Sequence, residues 1–201
     1  MKRLFFRVIC TVILVLGMAG MAGAVGFQIG PNGPTGNHWD VGSGWGTGAN
    51  QIDATFAVDP NLPSQGFELT GVDQYVTFLF GTISLQGNIP ASPGDLSLTA
   101  FLDFTSPEAA LAGMSGNTLA IPGTVLDGGT DLTIAFDPAN VSFSQGGLYR
   151  VDLYPVASFD WADTKNVYAS VTLVDVPEPA TMLLLGLGLV GIASMRKKIS
   201  I

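Results

Sequence analysis

Between residues 51 and 174 the chain repeats one habit: short stretches in which apolar and polar positions alternate. Across Gln51–Val58, Ile52, Ala54, Phe56 and Val58 alternate with Asp53, Thr55 and Ala57. Gln74–Gln86 runs Tyr75-Val76-Thr77-Phe78-Leu79-Phe80, then Ile83 and Leu85, and Leu96–Phe104 sets Leu96, Leu98, Ala100, Leu102 and Phe104 on one face. Leu132–Phe136, Leu148–Tyr154 and Val167–Val174 do the same. A period of two sends successive side chains to opposite faces of a pleated strand, and the β-branched and aromatic content suits that surface. Each stretch is therefore predicted to be a strand. Turn-forming clusters separate them at Asp59–Pro63, Asn88–Gly94, Asp127–Gly129 and Ser144–Gly147. One short helical turn is predicted where Ser106 can cap, Pro107 and Glu108 suit the first turn, and Gly113 stops it. Many short strands with polar turns predict an all-β domain, an antiparallel β-sandwich of jelly-roll or Greek-key type. No repeat of fixed period is present, which argues against a solenoid or propeller.

The two ends of the chain break this pattern. Met1–Ala24 has a basic start (Lys2, Arg3, Arg7), an apolar centre (Val8–Leu16) and small residues at Ala22-Gly23-Ala24. That is the order of a secretory signal, with cleavage expected after Ala24 by signal peptidase and delivery by the general secretion machinery. A first transmembrane helix is the alternative, weakened by the small residues 17–24 and by the absence of a following base. At the other end stand Pro177-Glu178-Pro179, an apolar run, and Arg196-Lys197-Lys198. The prolines interrupt regular structure. Ala180–Met195 is 16 residues, roughly 24 Å as a helix, enough to cross a thin bilayer once the basic stems extend to the interface. Between Met182 and Met195 the one polar side chain is Ser194, so the run is apolar all round, as a helix in lipid is. The basic end predicts a cytoplasmic flank. The organisation expected is a signal over 1–24, a sandwich over 25–175 with a Gly-rich loop at 30–50, and a tail over 176–201 carrying a single membrane helix at 180–195.

This tail resembles the PEP-CTERM sorting signal of exopolysaccharide-producing Gram-negative bacteria, in which a Pro-Glu-Pro motif, a helix and a basic end are read by the membrane protease exosortase. A simple stop-transfer anchor would share the helix and the basic end but would need no Pro-Glu-Pro. The resemblance covers the tail and implies exosortase as a partner, with Pro177, Glu178 and Pro179 as the motif and Arg196, Lys197 and Lys198 as its positive flank. It implies an exported protein, transiently anchored in membrane lipid and then found at the cell surface or outside. It transfers no activity to the sandwich.

Charge and composition narrow the rest. Sixteen acids less Glu178 leave fifteen, and eight bases less three at each end leave Arg150 and Lys165, so residues 25–176 carry a net charge near −13. Such a surface repels polyanions, and nucleic acid is not an expected partner. The one cysteine, Cys10, lies in the signal, so the domain holds neither a disulfide nor a thiolate metal site. The one histidine, His38, has neither the second histidine nor the thiols that a zinc site needs. A Gly-x-Ser-x-Gly elbow is absent, since Gly113–Asn117 lacks the final glycine. Oxygen clusters at Asp127/Asp131, Asp137/Asn140 and Asp160/Asp163 match no calcium loop and read as turn formers. No catalytic residue, metal or cofactor is expected.

The Gly-rich stretch leaves two readings. Trp39 and Trp45 are either stacking platforms for a sugar or the buried indoles of a lid over one end of the sandwich. The chain is thus expected to be a non-enzymatic surface or matrix protein associated with exopolysaccharide. A secreted carbohydrate-active enzyme and a carbohydrate-binding module are the alternatives.

Overall fold

The computed structural model describes residues 24–62, 66–86, 95–107, 118–127, 132–143, 146–159 and 163–176, with Gly186 and Gly188. Twelve strands in chain order are β1 Val25–Ile29, β2 His38–Val41, β3 Ala54–Val58, β4 Gly66–Leu69, β5 Tyr75–Leu85, β6 Leu98–Ser106, β7 Thr118–Asp127, β8 Leu132–Phe136, β9 Ala139–Phe143, β10 Gly147–Leu153, β11 Val156–Phe159 and β12 Thr164–Asp175. They form two antiparallel sheets. One has seven strands in the order β11-β8-β7-β6-β1-β4, with β2 also paired to β6; the other has the order β3-β5-β12-β10-β9.

The alternation in the sequence is the alternation of burial. Leu98, Ala100, Leu102 and Phe104 of β6 face the core, as do Val167, Ala169, Val171 and Leu173 of β12. Rings from the two sheets meet between them: Phe27 and Phe104 of the first sheet pack edge-on against Tyr149 of the second, at 5.2 and 5.4 Å between centroids. Trp39 meets Phe80 in the same way at 4.9 Å. Such edge contacts add to the large apolar area each ring removes from water.

In β5 the inward parity changes partway. Phe78 and Phe80 point into the core, and then Ile83 and Leu85. The ladder to β12 steps from Val167↔Gly81 to Tyr168↔Leu79, which leaves Phe80 as the extra residue of a bulge. Gly81 is required there because a Cβ would run into the carbonyl oxygen of Ala57 on β3.

One expectation changes, one falls largely outside the described residues, and one strand was not expected. The stretch 30–50 is not one loop: His38-Trp39-Asp40-Val41 forms β2 and pairs with Phe101–Leu98. Ser106 ends β6, and its hydroxyl donates to Gly26 O at 2.9 Å; residues 108–113, where the short helical turn is expected, lie outside the described residues. Strand β7 is assembled across Pro122, which offers no N–H. Residues 118–123 pair with β6 and residues 123–127 with β8, so the proline sits where one ladder hands over to the other. The signal before Ala24, the motif 177–179, the helix 180–195 apart from two glycines, and the basic end also lie outside the described residues. Gly186 and Gly188 are helical and exposed. Among the described residues no helix is long and apolar enough to cross a membrane.

Candidate functional site

Strand β6 takes two partners along one edge, β2 beside its first half and β1 beside its last residues. The chain leaves this edge at Gly30 and returns at Asn37. Asn37 is 1% exposed, and its side chain closes the gap. Its Nδ2 donates to Gly30 O at 2.7 Å, Pro31 O at 3.2 Å and Asn32 Oδ1 at 3.1 Å, while its Oδ1 accepts the Asp103 N–H at 2.8 Å. A buried amide so satisfied costs little; left unpaired, each group would cost about 1–3 kcal/mol. A Cβ at Gly30 would meet the Asp103 carboxylate, so any larger residue there requires that side chain to turn away. Burial raises the Asp103 carboxyl above its ordinary value, partly offset by the Thr118 hydroxyl. Burial, and then the nearby Asp103 charge, also raises the Tyr149 phenol.

The two indoles do not form a platform. Trp45 is 6% exposed, donates from its indole to Ser97 O at 3.1 Å, and packs edge-on against Phe56 at 5.0 Å. It has no free face. Trp39 is half-buried against Phe80, Phe56 and Phe136, and its indole N–H is buried without a partner among the described residues. Trp39, Val41, Phe56, Val58, Asn32 and Pro60 line an open groove of about 560 Å³ between β2 and β3. His38 stacks flat on Phe101 at 4.4 Å, with Nδ1 2.8 Å from Gly36 O. The ring lies on the sheet as a structural group. Of the two indoles only Trp45 is buried, and Trp39 belongs to a paired strand of the sheet.

A second surface was not read from the sequence. On the outer face of β5, β12 and β10, Tyr75, Tyr154 and Tyr168 are exposed. The Tyr154 hydroxyl reaches across to Thr77 Oγ1 at 3.3 Å. Arg150 and Asp152 pair at 2.8 Å beside it. Tyr75, Tyr154, Arg150, Asp152, Ser170 and Thr172 line a groove of about 470 Å³. Phenol, guanidinium, carboxylate and hydroxyl groups sit together on a pleated floor. The outward parity of Tyr75, Tyr154 and Tyr168 was available in the strand pattern, whereas the pairing that gathers them was not.

At the end of β12 the described fold meets the tail. Leu173 is fully buried and Val176 packs partly against the core, with Pro177 as the next residue. The family model for the PEP-CTERM protein-sorting motif matches residues 175–198. The chain carries a PEP-CTERM sorting motif. Neither the curated proteins nor the solved structures compared with the chain give a match. The PEP-CTERM segment includes Pro177, Glu178, Pro179 and the flank Arg196, Lys197 and Lys198. It overlaps the last residue of β12, so motif and folded domain abut. The motif marks an exported, surface or membrane-associated substrate of exosortase.

Among the described residues no group of three or more metal-binding side chains comes together. Of the oxygen pairs weighed for calcium, Asp137 and Asn140 flank the turn between β8 and β9 and are exposed; Asp131 and Asp160 lie outside the described residues. Ala24 is exposed just before β1, and Ala22 is outside the described residues.

Proposed function

We propose that this protein is a jelly-roll or Greek-key sandwich exported by a cleaved signal over 1–24 and held outside the cytoplasmic membrane by helix 180–195. Exosortase then processes it near Pro177–Pro179. Its role is that of a non-enzymatic surface or matrix protein associated with exopolysaccharide. The observation that carries this reading is the junction: Val176 still packs against the core, and Pro177-Glu178-Pro179 follows at once within the matched segment. A cut there removes the anchor and leaves every strand in place. Glu178→Gln keeps spacing and hydropathy while removing the one charge of the motif. Full-length protein should then accumulate in the membrane while the released form falls. Release at the normal rate would show that the motif is not read, and normal release without exosortase would remove the sorting reading itself.

A second reading, a carbohydrate-binding module, is favoured by the tyrosine groove rather than by Trp39 and Trp45. Tyrosine rings offer apolar faces to sugar C–H groups, and the Arg150–Asp152 pair offers a donor beside an acceptor for vicinal hydroxyls. The net charge near −13 selects a neutral glycan over an acidic one. A carbohydrate-active enzyme would need two carboxylates facing each other across a cleft; Asp152 is already held by Arg150.

A further inference from the structure

We infer that the pole from which the tail departs is a membrane-docking surface, with Val72, Tyr75 and Val174 set into the interfacial layer of a zwitterionic bilayer. This rests on the reading that helix 180–195 inserts.

The reach of the chain keeps the end of β12 close to the membrane surface. Val176 and Ala180 stand four positions apart, a step that at full extension spans about 14 Å. The headgroup layer beyond the hydrocarbon is itself roughly 5–7 Å deep on each side. A helix that starts at the hydrocarbon boundary therefore holds the end of β12 within about 7–9 Å of the headgroup surface at most.

The residues at that end are suited to the contact. The end of β12 is bonded to a tight turn: Asp73 N–H donates to Leu173 O at 2.8 Å, and Leu173 N–H donates to Gln74 O at 3.0 Å. The turn closes from Gln74 N–H to Gly71 O at 3.2 Å, with Asp73 at a φ of 65°. That left-handed residue places Val72 at the corner, where it is 52% exposed. Val174 follows Leu173, and Tyr75, in register with Thr172, is 65% exposed. Of the seven large hydrophobic side chains exposed among the described residues, three gather here, which scattered surface apolar residues would not do. Valine side chains in the interface and a tyrosine at headgroup level match the chemistry of that layer.

The other end of the domain leaves from the same pole. Val25 pairs with Leu69, and the next residue, Thr70, donates its N–H to Gln74 Oε1 at 2.8 Å. Ala24 and Val176 therefore depart side by side, as suits a chain cut at one membrane surface and inserted at the same surface. Asp73 and Asp175 flank the apolar trio. They would be repelled by anionic lipid and tolerated by a zwitterionic one.

The test uses the full chain in phosphatidylcholine vesicles, with Cys10→Ser and one fluorophore on Val72→Cys. A control carries it on Asn50→Cys, beside the opposite end of β5. Vesicle flotation comes first: protein that does not float removes the inserted-tail reading, and the docking proposal with it. In floated protein, nitroxide-headgroup lipid should quench the Val72 label several-fold more than the Asn50 label. Equal quenching overturns the proposal while leaving the anchor intact. Equal quenching in lipid alone, with Val72 shielded only when exosortase is added, reassigns the pole to the enzyme and also overturns lipid docking.

Discussion

Asn37 and Asp103 meet across the edge of β6: the side-chain oxygen of the first accepts the backbone N–H of the second at 2.8 Å. The amide stands in for a strand over the gap between β1 and β2. Asn37→Ala would leave the Asp103 N–H and the Gly30 carbonyl with fewer partners inside the fold. The expected loss is about 3 kcal/mol, read as a lower denaturant midpoint with an unchanged slope. A loss below about 0.5 kcal/mol would mean that water or neighbouring groups satisfy both.

Asp103 itself makes stability depend on pH. Burial holds its carboxyl above the ordinary value of 3.8, so the folded state binds its proton more tightly than the unfolded chain does. The contribution is therefore favourable in acid and is lost as pH rises from about that value through the raised folded value. Asp103→Asn should flatten this part of the profile and leave the variant relatively more stable at neutral pH. Thermal midpoints measured across the acid range decide it; parallel profiles would contradict the sign.

The register of β6 gives a paired test. Leu102 is fully buried, whereas Phe101 lies on the other face against His38. Leu102→Ala should cost about 2–5 kcal/mol. Phe101→Ala should cost less, despite removing the larger side chain.

The tyrosine groove predicts a binding phenotype separate from folding. Tyr154→Ala should weaken retention on a neutral exopolysaccharide by up to about tenfold, the scale of one lost aromatic contact, with little change in thermal midpoint. Unchanged retention would leave the glycan reading without its site.

Topology is testable without knowing a ligand. Reporter fusions after Val174 and after Ile201 should report opposite compartments, with the first outside the cytoplasmic membrane. A cytoplasmic signal from the first would overturn export.

What could be read from the sequence was what is contiguous in it. The strands around Phe78, Leu102, Ile134 and Val171 were legible because their partners in burial stand two residues away. The change of parity in β5 was visible as the shift from Phe80 to Ile83. The PEP-CTERM tail was legible for the same reason, since motif, apolar run and basic end follow one another. Strand β2 was hidden because four pairing residues stand between glycine-rich segments, and β7 because Pro122 and Gly123 break its local pattern. Asn37 looks like any turn asparagine until the edge of β6, 66 residues away, supplies its partner. The groove was out of reach altogether: Tyr75, Arg150 and Ser170 come from three strands that only the sheet order brings together.

The strand that runs into the tail is not at the margin of its sheet. β12 lies between β5 and β10, paired on both sides. Traction on the tail is directed along its length, at right angles to hydrogen bonds that run across to both neighbours. Those bonds resist together in shear, whereas a marginal strand would peel away one bond at a time. Any traction applied to the tail would thus be taken up by an interior strand of the smaller sheet.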